Sequence, residues 1–308
     1  MANFSQGSRS GLSYVVESVF GTTPATPSLI QLPYTSHSLN LTKERVQGND
    51  IQPDRMLRTD RHGNRSVAGD ITVDLRKGDY DAFLESLMFS TFTTNILKTG
   101  TTPKYFSIED AAEDIAQYRL FTGMAVSQGS FSIRPNQMVT CTFSMVGKNM
   151  TISGTSVDAA KTASSTNAPF DAYSGALNIG DFGGSGTTST IITGIDFTVN
   201  NRLAPTFVVG SSTTPQLEYG MSTVEGTVTA YFEDATLINR FINETESLMT
   251  VVVDDPTGSS DYTFYFPRVK FNGADVPVDN PQSRIITLPF VALYDPVSAT
   301  NLRITRSV

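Results

Sequence analysis

The 308-residue chain has no tryptophan, a single cysteine and only two histidines, and these scarcities remove most of the side chains from which reaction centres are built. With Cys141 alone there is no intrachain disulfide, and its setting in Met-Val-Thr-Cys-Thr-Phe-Ser-Met (138–145) reads as a buried strand in which the thiol packs as a small hydrophobe. His37 and His62 leave no Ser-His-Asp arrangement and no metal-ligand spacing to assemble. Carboxylates are plentiful, but without tryptophan platforms or an acidic cluster flanked by aromatics a glycosidase has little to work with. No run of about 18 apolar residues exists, and the first eleven residues lack the apolar core of a signal peptide. The expectation is a protein made in the cytoplasm, soluble and not inserted into a membrane, with no enzymatic activity and no catalytic, cofactor-binding or metal-binding residues.

What is present points to strands. Hydrophobic residues make up 39% and charged residues 17% of the chain, too apolar for disorder. A formal charge of −8 argues against tight binding of nucleic acid, which needs Lys and Arg to displace phosphate counterions; it fits a surface that does not hold DNA, and equally a charge balance that serves solubility alone. The glycine-rich stretch 180–186 lacks the Lys-Ser/Thr ending of a phosphate loop and reads as a hairpin connection between strands near 176–179 and 191–199.

Residues 66–76 alternate, with Val67, Gly69, Ile71, Val73 and Leu75 on one face and Asp70, Thr72, Asp74 and Arg76 on the other, predicting a strand with one buried side. Tyr80, Phe83, Leu84, Leu87 and Met88 then recur at helical spacing behind Asp79, the expected N-cap, giving a helix over about 79–88. Strand-like runs follow near 118–126, 130–133 and 138–147. The second half repeats this order. Val-Glu-Gly-Thr-Val-Thr-Ala-Tyr-Phe (224–232) matches Val-Ala-Gly-Asp-Ile-Thr-Val-Asp-Leu (67–75) at a constant offset, glycine included, and Leu237, Ile238, Phe241 and Ile242 form a second helical stripe. Residues 285–290 echo 138–143. The Ala/Ser/Thr-rich stretch between reads as an exposed connector. The predicted organisation is a first domain with its N-terminal arm at 1–152, a linker at 153–168 and a duplicated second domain at 169–308.

Each half also carries a long stretch ahead of its central strand, 43–65 and 200–222, a length uncommon in compact domains unless it has a job. The first mixes Lys43, Arg45, Arg55, Arg58 and Arg61 with Asp54 and other acids, a pattern suited to a partner surface of complementary charge.

Three segments resemble the major tail proteins, the tail-tube subunits of long-tailed, non-contractile bacteriophages: Tyr-Val-Val-Glu-Ser-Val-Phe-Gly-Thr-Thr-Pro (14–24), the Val67-x-Gly69-x-Ile71 strand with its helix, and Ala-Pro-Phe-Asp-Ala-Tyr-Ser-Gly-Ala-Leu-Asn-Ile (168–179). The resemblance implies a mainly β fold with short helices, in which two tandem tail-tube-type β-sandwich domains are each flanked by one helix. It also implies a virion tail location and rings stacked into a tube through which DNA passes during ejection. Tail-completion, tail-tip and tape-measure proteins are the implied partners. With two tube domains per chain, three copies close a ring of pseudo-sixfold symmetry, the alternative being a hexamer. Roughly 24 strands at about 4.8 Å spacing give a backbone diameter of about 37 Å, wide enough for duplex DNA. On this reading Asp70, Asp74, Glu225 and Glu233 face the lumen and repel phosphate, although Arg76 shares their face. Lys43, Arg45, Asp54, Arg55, Arg58, Arg61, Arg303 and Arg306 contact neighbouring subunits or rings. The competing expectation is a β-sandwich adhesion module of a phage or bacterium that displays its loops to a receptor.

Overall fold

The computed structural model describes residues 4–184, 186–188, 191–257, 261–278 and 283–307. The chain is mainly β, with two short α-helices. In the first half the principal strands are β1 (Ser10–Glu17), β2 (Asn40–Gln47), β3 (Asp60–Asp74), β4 (Tyr105–Ala112), β5 (Gln117–Ile133), β6 (Thr140–Gly147) and β7 (Asn149–Ser153), with α1 (Asp81–Met88) between β3 and β4. In the second half they are β8 (Asp171–Asp181), β9 (Ile192–Asn200), β10 (Thr223–Tyr231), β11 (Ser247–Asp254), β12 (Asp261–Phe271), β13 (Ile285–Ala292) and β14 (Arg303–Arg306), with α2 (Thr236–Ile242) after β10.

One antiparallel sheet crosses the whole chain in the order β2-β3-β6-β5-β9-β10-β13-β12. The two halves meet inside it, where β9 lies against the C-terminal part of β5 from Asn200↔Gln128 to Ile195↔Ile133. β5 and β12 are long enough to leave this sheet and enter a second layer. The N-terminal part of β5 pairs with β4 and β7, and β4 with β1. Likewise β12 pairs with β11 and β14, and β11 with β8. The short strand Ile96–Lys98, from the first half, adds to β14 and stitches the halves a second time.

Alternation explains the packing. Val67, Ile71 and Val73 of β3, Val224 and Val228 of β10, and Cys141, Phe143 and Met145 of β6 all point into one continuous core. Burial pushes the Cys141 thiol well above its usual value, which keeps it unreactive. At the joint between halves, Phe131 stacks on Phe197 at 4.6 Å, and Phe264 stands edge-on or tilted to both at 5.2 Å. Phe266 bridges from Phe197 to Phe290. The halves are therefore not beads on a string.

α1 is wedged between the layers, with Phe83 stacked on Phe106 at 4.9 Å and edge-on to Tyr14 at 5.0 Å. It starts after Tyr80 and ends at Phe89, whose left-handed backbone returns its N–H to the carbonyls of Glu85 and Ser86. Asp79 is not the N-cap predicted from the sequence, because its carboxylate is taken by the Ser165 N–H at 2.8 Å and stands near Arg76. α2 differs from the expected copy of α1. None of its residues is buried: Leu237 and Ile238 only lean on the core, and Phe241 and Ile242 face outward.

Residues 153–168 lie at the surface but are strapped to the first half. Thr162 exchanges backbone bonds with Leu29 and Gln31 at 2.8 Å, and Lys161 pairs with the buried Glu109 at 2.9 Å.

A glycine stands at matching points of the two central strands. A Cβ at Gly226 would lie 2.5 Å from the Asp196 carbonyl and 2.7 Å from the Phe290 ring, and one at Gly69 would lie 2.6 Å from the Ser38 carbonyl. Gly226→Ala is expected to destabilise the chain by about 1–3 kcal/mol through overpacking, read as a lower denaturation midpoint with unchanged slope.

Candidate assembly surfaces

The spanning sheet has two unlike faces. The inner face is the apolar core. The opposite face is lined by hydroxyls and amides: Thr72 with Thr142 at 3.2 Å, Ser130 with Thr198 at 3.2 Å, and Asn200 with Gln128 at 3.1 Å. These are cross-strand pairs, and those between β5 and β9 tie the halves together on the polar side as Phe131 and Phe197 do on the apolar side.

The acidic residues predicted for the lumen fall as follows. Asp70 and Glu225 are exposed and Asp74 is half-buried, all on this polar face. Glu233 is exposed but lies two residues beyond the end of β10. Arg76 is turned toward Asp79, its Nε 4.0 Å from the carboxylate. Asp196, which is not among the residues predicted from the sequence, sits on the same face, accepting from Ser132 and paired with Arg134. Its signal is the alternation of 192–200, where Ile195, Phe197 and Val199 turn inward and Asp196 must turn out.

The charged stretch 43–65 is the end of a projecting hairpin, β2 and β3 with their connection. Lys43, Arg45, Asp54, Arg55, Arg58 and Arg61 are all exposed. Arg45 Nε pairs with Asp60 at 2.7 Å and Arg58 pairs with Asp54, bonds in open solvent that contribute little to stability. At its tip Ile51 is 98% and Met56 68% exposed, apolar surface that nothing among the described residues covers. The matching stretch in the second half folds back instead. Arg65 donates its N–H to the Ser212 carbonyl at 2.9 Å, Leu203 and Leu217 are buried with Phe89 and Ala125, and Asn201 Nδ2 reaches the Leu87 carbonyl at 2.6 Å.

Arg303 and Arg306 are engaged within the chain. Arg303 lies over the Tyr265 ring at 4.4 Å. Arg306 pairs with Asp81, lies over Phe92, and donates to Asn95 Oδ1 at 3.0 Å. Tyr262 Oη also donates to Asp81 and accepts the Gly78 N–H at 3.1 Å, so α1 of the first half is docked on β12 and β14 of the second. Burial and the neighbouring Asp81 push the Tyr262 hydroxyl far above its usual value.

His37 stands 3.6 Å from Asp110, which also takes two hydrogen bonds from Arg119. Burial alone would raise the Asp110 carboxyl, but His37 and Arg119 outweigh it and hold it below the usual carboxylate range. A depressed carboxyl stabilises the fold above its unfolded value and loses that contribution as pH falls through the folded one. The stability gap between the native chain and Asp110→Asn is thus expected to narrow below about pH 4 in denaturant titrations.

Among the described residues no group of three or more His, Cys, Asp and Glu side chains is placed to hold a metal ion, and no helix is long and apolar enough to cross a membrane. Fold and surfaces together define a mainly β chain with one sheet face in the core, the other polar and open, and a projecting charged hairpin. A family model described as phage tail tube protein matches residues 7–292, nearly the whole chain, and the chain belongs to that family. It is a structural component of the virion tail. A search of curated proteins gave no match.

Proposed function

We propose that the chain closes into rings that stack as the tail tube, with the polar face of the spanning sheet lining a channel through which DNA passes. The observation that carries this reading is the sheet itself. It presents eight strands in line, one face sealed in the core and the other free of it, so three chains supply the roughly 24 strands of a tube-sized barrel. Asp70, Asp74, Glu225 and the added Asp196 set an acidic tone among hydroxyls, and Glu233 lies at the rim. Such a wall repels phosphate, and Arg134 on the same face is held by Asp196.

The halves, 1–152 and 169–308, are read as duplicated tube domains joined by 153–168, which supports three chains per ring over six. Matching pairs support the duplication: Val67 faces Gly147 as Val224 faces Ala292, and Gly69 faces Met145 as Gly226 faces Phe290. The correspondence of β13 with β6 is displaced by two residues from the one read in the sequence, since Phe290 takes the place of Met145 and Leu288 that of Phe143.

Lys43, Arg45, Asp54, Arg55, Arg58 and Arg61, with the apolar tip, form the contact surface toward neighbouring copies. Arg303 and Arg306 contribute there only by way of the joint they hold between the halves. Tail-completion, tail-tip and tape-measure proteins are the further partners proposed.

Negative-stain microscopy with a mass measurement of isolated rings tests the reading. Rings or tubes with a central channel and three chains per ring are expected; dispersed monomers at all concentrations would sink it. Reversing the charges of Asp54, Arg55 and Arg58 together is expected to impair polymerisation, and tubes of normal length and yield would remove the hairpin from the assembly surface.

A further inference from the structure

The chain contains one complete joint between its two sheet units, β9 on β5, and both halves of a second joint left open at its ends. β2 and the Ser36–His37 strand before it pair only with β3 among the described residues, so their outer edge is free. At the other end, beyond β12, Asp275 exchanges two backbone bonds with Thr287 of β13, at 3.0 and 2.9 Å, and the outer edge of residues 272–278 carries no strand among the described residues. These edges are the counterparts of β9 and β5. Leu41 faces Val67 as Val199 faces Val224. Asp275 faces Thr287 as Ser130 faces Thr142, and each register is reached through a one-residue shift at the same point of the ladder, after Val126 and after Phe271.

We infer that β2 of one copy adds antiparallel to residues 272–278 of the next, in the register that the β9–β5 joint dictates: Leu41 opposite Ala274, Leu39 opposite Val276, and Asn40 opposite Asp275. The inference rests on the ring reading and names the strands, residues and register that close the ring. In the antiparallel alternation, Ser38 and Asn40 direct their backbone groups to β3, as the Ser38 N–H to Asp70 carbonyl bond of 2.9 Å shows, so Leu39 and Leu41 direct theirs outward.

Two of the groups this register uses are now covered by surface side chains. The Leu41 N–H is met by its neighbour's Asn40 Oδ1 at 2.9 Å, and the Val276 carbonyl by Arg284 at 2.7 Å. The side chains agree with the template. Leu39 is buried and Ala274 and Val276 lean on the core, on the side where Phe131 meets Phe197. Asn40 and Asp275 are exposed on the polar side, where Ser130 bonds Thr198, and there an amide facing a carboxylate makes a hydrogen bond across the joint. Each free edge would otherwise be a template for uncontrolled pairing.

The test is disulfide trapping. Asn40→Cys with Asp275→Cys places two cysteines at directly opposed, non-hydrogen-bonded positions, within disulfide reach; Thr42→Cys with Asp275→Cys is displaced by two residues and beyond it. All three sites have exposed or partly exposed side chains, Cys141 is buried and stays in place, and folding is checked by thermal melts under reducing conditions. The expected result is rings by microscopy and, after oxidation, covalently closed trimers from the first pair, with about tenfold less crosslinking from the displaced pair. Rings in which the displaced pair, or neither pair, crosslinks overturn the inference and leave the tube reading standing. Absence of rings from the unsubstituted protein overturns both.

Discussion

Leu41→Pro is expected to abolish ring closure while leaving the monomer folded. Proline removes one backbone donor, and at most strand positions that donor is a rung of the ladder. At Leu41 it is not. Its N–H points away from β3 and meets only the Asn40 side chain, so the hairpin keeps its internal bonds. In the proposed ring the substitution removes an edge hydrogen bond at every joint and puts a ring carbon where a strand should approach. At about 1–3 kcal/mol per joint, this is roughly tenfold or more in affinity for each contact, enough to suppress a closed ring that needs all of its joints. Sedimentation should show monomers at concentrations where the native chain forms rings, with a melting temperature within a few degrees of native. The same substitution at Ser38, whose N–H bonds Asp70 inside the sheet, should instead destabilise the monomer.

The largest effect on stability is expected from Phe197→Ala. Phe197 is 2% exposed and touches Phe131 from the first half and Phe264 and Phe266 from the second. Truncation leaves a cavity among large rings that cannot collapse, with a cost of about 3–5 kcal/mol. Because the ring belongs to both halves, the loss should lower a single unfolding transition, not split off a second-half transition. Phe131→Ala should be non-additive with it, since the two rings stack on each other. Two separate transitions in the native chain, or strictly additive losses, would show that the halves are energetically independent in spite of the shared sheet.

Much of the fold is legible in local patterning. The alternation at 67–75 and 224–232 marks both central strands, the spacing of Phe83, Leu84 and Leu87 marks α1, and Met138 to Met145 marks β6 with Cys141 inward. Local periodicity reports these because each side chain there has one neighbour to satisfy, the core. Asp79 departs from the N-cap role that its position suggests because its carboxylate is claimed by Ser165, far along the chain. α2 departs from the buried copy of α1 that its stripe suggests, since four apolar residues say only that a face is apolar, not that the chain supplies a cover for it. Alternation along 192–200 turns Asp196 outward, but its partners Ser132 and Arg134, at the end of β5, lie more than 60 residues away.

By itself the sequence determined that this is a mainly β protein poor in the side chains of catalysis, with family membership readable in diffuse patterns along most of its length. It also determined which face of each central strand is apolar, because side-chain alternation is a property of consecutive residues. Only the tertiary structure decided that β9 lies on β5, that Arg306 and Tyr262 are spent within the chain, and that one long hairpin folds back while the other projects. Those outcomes depend on pairings between residues some 60 to 220 positions apart, where backbone hydrogen bonds are chemically alike and only the shape of the surrounding core selects the partner.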